Sequence, residues 1–293
     1  MSMPVIGFIG LGLMGEGFTR RLVETSHRVA GYDIVPEKVT AAAQRGVQAC
    51  ASPAEVARAA DIILVSVTTT AAVEEVVLGT AGVSSAGQLQ GKVLVDHSTT
   101  EIDTTKRVAA ALWAASGVSF VDAPVSGGPA AAASGTLAIM AGGEAEAIAR
   151  IKPVMERLGS FTHLGGIGSG QATKLVNQTL VLANYCVIAE ALRLAEAYGV
   201  DATKIPAALA SGHAGSNLLP ILFERMIARD FAPRGFARQV LKDLEMLHQA
   251  ASARQVSMPM ATQALTLYRH LIAQGKSELD AAAIVTLHPA LAP

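Results

Sequence analysis

Gly10, Gly12 and Gly15 fall in the spacing G-x-G-x-x-G directly after the apolar run Val5-Ile6-Gly7-Phe8-Ile9, and Leu13, Met14, Phe18 and Leu22 then recur at helical spacing. The glycines therefore occupy a strand-to-helix corner. There the first glycine permits a tight turn, the second lets a pyrophosphate approach the backbone, and the third lets helix and strand pack closely, with phosphate facing the helix N-terminus. Leu11, Leu13 and Met14 complete the turn and join the glycines as candidate cofactor contacts. In a chain with 27 glycines this spacing alone is weak. Asp33 is the stronger signal: it closes a second apolar strand, Arg28 to Tyr32, about 20 residues on, where an acidic side chain can accept hydrogen bonds from the adenosine ribose hydroxyls. A carboxylate there repels a 2′-phosphate, and neither Ile34 nor Val35 is basic, so the pattern favours NAD over NADP. The plainer alternative is a solvent-facing aspartate ending a strand before Pro36.

The elements that would carry such a turn alternate through the first half of the chain. Apolar runs at Ile62 to Val67, Val93 to Val95, Val118 to Val121 and Leu137 to Met140 are separated by alanine-rich helical segments, the texture of a doubly wound, Rossmann-type α/β domain. After Gly165, Gly166, Gly168 and Gly170 no convincing strand recurs, which predicts an all-α domain. The division expected is 1–165 for dinucleotide binding and 166–293 for substrate binding and oligomerisation. A helix from about Gln171 to Tyr198, stopped at Gly199, is apolar on most of its circumference and needs cover from other helices, including those of a second subunit. A homodimer or homotetramer is expected.

Composition narrows the partners. Of the 293 residues 51% are hydrophobic and 16% charged, as in a well-packed globular protein. A net charge of −1 with 4% aromatics suggests neither a phosphate-tracking groove nor a base-stacking platform, so nucleic acid is not an expected ligand. Cys50 and Cys186 read as small core residues in a reducing compartment, and seven histidines at no ligand-like spacing predict no metal site. With the first strand starting by Pro4, the reading is a cytoplasmic protein. Leu175 to Leu194 is interrupted by Asn177, Gln178, Asn184, Glu190 and Arg193, so no membrane span is expected.

Three further stretches carry a resemblance. Asp122-Ala-Pro-Val-Ser126-Gly127-Gly128-Pro129 with Gly135-Thr136-Leu137 and Gly142-Gly143, then Gly168-x-Gly170-x-x-x-Lys174-x-x-Asn177, and finally Lys242-Asp243-Leu244, closely resemble the β-hydroxyacid dehydrogenase family, which includes 3-hydroxyisobutyrate dehydrogenases and tartronate semialdehyde reductases. With the N-terminal turn, the likeness runs in order from Gly7 to at least Leu247. It implies hydride transfer between NAD(H) and a small 3-hydroxy acid or its semialdehyde. It also implies that Lys174 is the general acid/base, for which the amine's free pKa of about 10.4 must be lowered. Read alone, Lys174 is as well a lysine snorkelling to solvent near a helix start.

By the same resemblance Ser126, Gly127 and Gly128 anchor the substrate carboxylate, with one hydroxyl and adjacent backbone N–H groups. Glycine pairs are also ordinary turn material. Asn177, three residues after Lys174, is expected to orient the lysine or the substrate. Gln178 stands where many members carry a second, substrate-contacting asparagine. Ser98 is placed near the nicotinamide, Val67 and Thr68 against the cofactor, with Thr68 where a proline is common, and Lys242 as the lysine that closes over the cofactor, held by Asp243. Lys242 and Asp243 otherwise read as a solvated pair. His97 reads as structural. His213, Asn217, Arg234 and Arg238 are candidates for substrate specificity by placement. An imine reductase-like enzyme or a non-catalytic NAD-binding protein on the same scaffold are the alternatives; Lys174 stands where imine reductases typically carry Asp or Tyr.

Overall fold

The computed structural model describes residues 3–288. Its short apolar runs form β1 (Ile6–Ile9), β2 (Val29–Tyr32), β3 (Val47–Ala49), β4 (Ile62–Val65), β5 (Val93–Asp96) and β6 (Ser119–Asp122), paired in parallel in the order β3-β2-β1-β4-β5-β6. Parallel neighbours need crossovers. These are carried by α1 (Leu13–Glu24), α2 (Pro36–Ala43), α3 (Pro53–Ala59), α4 (Thr70–Leu78) and α5 (Ile102–Ser116).

Side chains alternate across the strands and both faces are covered. Ile6, Phe8, Ile62, Leu64, Val93, Val95 and Val121 pack with Phe18 and Leu22 of α1. Ile9, Ile63, Val65, Leu94 and Phe120 pack on the other face with Val56 of α3, Val73 and Val77 of α4 and Leu112 of α5. Burial on both faces is why these strands read as unbroken apolar runs rather than as alternation. The strand order reverses between β1 and β4, and that reversal opens a crevice beyond the strands' carboxyl ends.

The run expected at Leu137 to Met140 lies in a second sheet rather than the first. Here β7 (Val125–Ser126) pairs antiparallel with β8 (Leu137–Ala141), which pairs parallel with β9 (Gly159–His163). The intervening helices are α6 (Gly128–Ser134) and α7 (Ala145–Leu158). The sequence reading missed β9 because Gly159-Ser-Phe-Thr-His is a mostly polar, partly exposed edge strand with no buried run to reveal it. The short β3 and β7 escaped for the same reason. Small residues let α6 and α1 pack closely: a Cβ on Gly17 of α1 would lie 2.7 Å from the Pro129 carbonyl oxygen and 2.9 Å from the Cβ of the buried Ala132.

Beyond β9 the described residues form no further strand. α8 (Ser169–Ala197) is followed by α9 (Ile205–Leu209), α10 (Leu218–Ala228), α11 (Ala237–Ala253) and α12 (Pro259–Ala273). At 29 residues α8 is about 43 Å long, starting two residues before the expected Gln171 and ending before Gly199, whose φ of +66° suits a helix stop. By length and composition α8 could cross a membrane, yet its buried positions include Gln171, Lys174 and Gln178. The chain forms two compact units, Met1–Lys174 and Leu175–Pro293, divided within α8. In the second unit a buried ion pair, Arg225 Nη1 to Asp280 Oδ1 at 2.7 Å, organises the segment before α11. Asp280 Oδ2 also accepts from the backbone N–H groups of Arg234 and Gly235, at 2.8 and 3.0 Å.

Candidate active site

The glycine turn between β1 and α1 has the shape that a dinucleotide needs. Gly10 has φ +99°, and a Cβ there would lie 2.2 Å from the Ser66 carbonyl oxygen; one on Gly15 would lie 2.0 Å from the Gly10 carbonyl oxygen. Both positions exclude any side chain. Gly12 differs: the nearest atom to an added Cβ is Lys38 Nζ at 4.0 Å, so its missing side chain leaves space on the open side of the turn. No side chain caps α1, which leaves its first-turn amides to an anion. A tight turn, a close-packed third glycine and an open middle one fit a bound pyrophosphate.

Asp33 ends β2 beside this turn. Its Oδ2 accepts from Leu11 N–H at 2.7 Å and its Oδ1 from Val35 N–H at 2.9 Å, so the carboxylate braces the loop as well as facing the site. Lys38 Nζ stands 3.7 Å from Oδ1. Neither residue directly after Asp33 is basic, but Lys38, five residues on, is brought back onto the carboxylate by helix α2, a placement with no local signal in the sequence.

At the ends of β4, β5 and β6 the remaining first-unit residues converge. Ser98 is buried; its Oγ accepts from Val67 N–H at 3.0 Å, which joins two expected cofactor contacts, and Thr68 follows directly. Two aspartates that sequence reasoning gave no role sit at paired positions of β5 and β6, Asp96 and Asp122. Burial, with the charge of Asp122 adding to it, raises the Asp96 pKa to about 7. Burial raises Asp122 to about 6, with backbone amides of Gly168 and Gln171 pulling the other way. Gln171 ties the same corner together: its Oε1 accepts from Thr100 N–H at 3.0 Å and its Nε2 donates to the Ser98 carbonyl at 2.9 Å. Aspartates closing paired strands, and a glutamine opening a helix, were the only sequence signals for this network.

Lys174 does not snorkel. It is 8% exposed and its Nζ donates to the Val125 carbonyl at 2.8 Å. One residue on from Val125, Ser126 ends β7, and the chain turns through Gly127 (φ +129°) and Gly128 (φ +72°) into α6. Nothing lies within 4 Å of a Cβ on Gly128. The lysine amine, reaching in from α8, is thus held by the same short stretch of chain that forms the expected carboxylate cradle.

His97 lies beside this cluster but is built into the core. Its ring stacks on Phe18 with centroids 4.8 Å apart, and Nδ1 donates to the Ala123 carbonyl at 2.7 Å, an assignment forced by the carbonyl being an acceptor only. Burial lowers its pKa to about 4, so it stays neutral near neutrality.

In the second unit the predicted polar residues form a chain of contacts. Asn177 Nδ2 donates to Gln178 Oε1 at 2.9 Å, Gln178 Nε2 donates to Asp243 Oδ2 at 2.6 Å, and Lys242 Nζ pairs with Asp243 Oδ1 at 3.1 Å. His213 and Asn217 lie on an exposed turn. Arg234 pairs with Asp230 at 3.1 Å, while Arg238 pairs with Glu278 at 2.9 Å and lies over the Phe236 ring.

Residues 5–211 match the family described as the NAD binding domain of 6-phosphogluconate dehydrogenase, and residues 168–288 match that described as the NAD-binding of NADP-dependent 3-hydroxyisobutyrate dehydrogenase. The 2-hydroxy-3-oxopropionate reductase of Escherichia coli is 37% identical over 96% of this chain and 95% of its own. This chain belongs to the β-hydroxyacid dehydrogenase family. Another member, the 2-(hydroxymethyl)glutarate dehydrogenase of Eubacterium barkeri, is 35% identical over 96% of this chain and 93% of its own. The 3-hydroxyisobutyrate dehydrogenase of Mycobacterium tuberculosis, solved with L-serine, superposes with a TM-score of 0.84 at 29% identity, over 98% of this chain and all of that one. As a β-hydroxyacid dehydrogenase the chain is an NAD(P)-dependent oxidoreductase of hydroxy acids.

Proposed function

We propose that this enzyme interconverts a small 3-hydroxy acid and its semialdehyde with NAD(H), using Lys174 as general acid/base. The observation that carries the reading is the buried Lys174 amine, held to the Val125 carbonyl immediately before the Ser126-Gly127-Gly128 turn. The bound nicotinamide supplies the hydride acceptor or donor. The Ser126 hydroxyl and the backbone N–H groups at Gly127 and Gly128 take the substrate carboxylate, where the missing Cβ of Gly128 leaves room. As the carbinol carbon loses hydride its hydroxyl proton passes to Lys174; in reduction the ammonium returns it. Asn177 and Gln178 are assigned to the substrate, Lys242 to the cofactor, and Ser98, Val67 and Thr68 to the nicotinamide end. The domains proposed are 1–165 and 166–293.

NAD is the proposed physiological cofactor, because the Asp33 carboxylate is fixed by two backbone amides beside the ribose position. A cytoplasmic location and a homodimer or homotetramer complete the reading. The names of the relatives set the substrate panel. NAD reduction at 340 nm is followed with 3-hydroxyisobutyrate, L-serine, 2-(hydroxymethyl)glutarate and glycerate, the acid formed when 2-hydroxy-3-oxopropionate is reduced at its aldehyde. At least one of these acids turns over, and Lys174→Ala lowers kcat by about 10²- to 10⁴-fold while leaving NADH affinity within about two-fold. Wild-type kcat in Lys174→Ala, or no turnover of any acid in the panel, overturns the proposal.

A further inference from the structure

We propose that Asp122 is a positioning residue for the reaction: its carboxylate clamps the first turn of α8 so that the Lys174 amine stands at a set distance from the Ser126-Gly127-Gly128 turn. The inference rests on the reading of Lys174 as the acid/base group.

Asp122 is wholly buried, and its two oxygens divide between two amides at the start of α8. Oδ1 accepts from Gly168 N–H at 2.7 Å and Oδ2 from Gln171 N–H at 2.8 Å. A carboxylate on the otherwise unsatisfied amides of a helix start makes charge-assisted bonds and meets the positive end of the helix dipole. The approach is as close as the backbone allows: a Cβ on Gly170 would lie 2.4 Å from the Asp122 carbonyl oxygen and 2.5 Å from that of Met140. Lys174 sits three residues after Gln171 and four after Gly170, directly over this turn, so a tilt of the turn carries the lysine with it.

The far end of the lysine is held by the same piece of chain. Its Nζ donates to the carbonyl of Val125, three residues after Asp122 and one before Ser126. Residues 122–128 therefore grip α8 at two points, the helix start and the amine, and go on to form the expected carboxylate cradle. Gln171 adds a second tie from the same turn to Ser98 and Thr100, and the Ser98 hydroxyl is bonded in turn to Val67 N–H. Proton transfer needs donor and acceptor at hydrogen-bond distance, and a displacement of about 1 Å can lower a rate about 10²-fold. A clamp of this kind sets that distance before substrate arrives.

The test is a double-mutant cycle on Asp122→Asn and Lys174→Ala, assayed by NAD reduction with the fastest acid of the panel above, with NADH affinity by fluorescence and thermal midpoint measured for every variant. Asparagine retains the shape but replaces one accepting oxygen with a donor that faces an N–H. The clamp predicts that Asp122→Asn alone lowers kcat about 10²-fold with NADH affinity within about two-fold, and that the same change in the Lys174→Ala background alters the residual rate less than about two-fold. An equal loss in both backgrounds, a parallel loss of NADH affinity and thermal midpoint, or wild-type kcat in Asp122→Asn overturns it. Lys174→Ala with wild-type kcat instead removes the acid/base reading and is seen without reference to Asp122. If Asp122→Asn does not fold, Gln171→Met, which cuts the second tie, enters the same cycle with about a ten-fold loss expected and the same criteria for failure.

Discussion

Asp33 shows how one side chain serves both the scaffold and the ligand. Its two oxygens already accept from the Leu11 and Val35 amides, so the charge is held in place whether or not a ribose is present. Lys38, 3.7 Å away, is tied up by that charge. Asp33→Asn retains an oxygen for the Leu11 amide but removes the repulsion towards a 2′-phosphate and releases Lys38. The expected outcome is a rise of about ten-fold in the kcat/KM ratio of NADP to NAD, equivalent to about 1.4 kcal/mol. An unchanged ratio in steady-state kinetics with the two cofactors would show that discrimination lies elsewhere.

α8 has different demands along its length and around its circumference. Its first turn is bound to the strand ends, whereas a stripe of Val176, Leu180, Val187, Leu194 and the following Tyr198 stays exposed, at 61%, 63%, 48%, 61% and 80%. Spacings of four and seven residues put these side chains on one side of the helix, as in a helix-packing seam. This exposed face is the observation behind the proposed homo-oligomer. Light scattering is expected to give at least a dimer mass for the native protein, and Leu180→Glu with Leu194→Glu to shift it to the monomer with NADH binding retained. A monomeric native protein would show that the stripe has another purpose.

The molecule as a whole carries opposing proton linkages in its first unit. Asp96 and Asp122 have folded pKa values of about 7 and about 6, above the ordinary carboxylate value, so the folded form holds protons that the unfolded chain releases. Their contribution is fully present below about pH 4 and is lost as pH rises through 6 to 7. His97 runs the other way: its folded pKa of about 4 lies below the unfolded value, so its contribution is present above about pH 6.5 and is lost as pH falls towards 4. Asp96→Asn removes one of the terms that grow on acidification. Between pH 7.5 and 5 the variant's unfolding midpoint in urea should therefore fall more steeply with acid than that of the native protein. Trp113, the chain's single tryptophan, lies in α5 and reports on this unit by fluorescence. Parallel curves for the two proteins would mean that Asp96 keeps an ordinary pKa.

From the amino-acid order alone, the glycine turn, the two-sided parallel strands, the long helix and the family motifs were legible, because each depends on neighbours within a few residues: turn geometry at Gly10 and Gly15, unbroken apolar runs in buried strands, helical spacing after Gly170. The exposed edge strand β9 left no such local trace. Nor did Lys38 beside Asp33, Gln171 between two strand ends, or Asp122 on the start of α8, whose partners are 46 and 49 residues away. Read alone, Lys174 was as well a solvated cation; only its motif favoured a buried amine, since burial and the Val125 carbonyl reach it through packing of distant segments. Local stereochemistry names the parts that can do the chemistry, and long-range hydrogen bonding sets the distances between them.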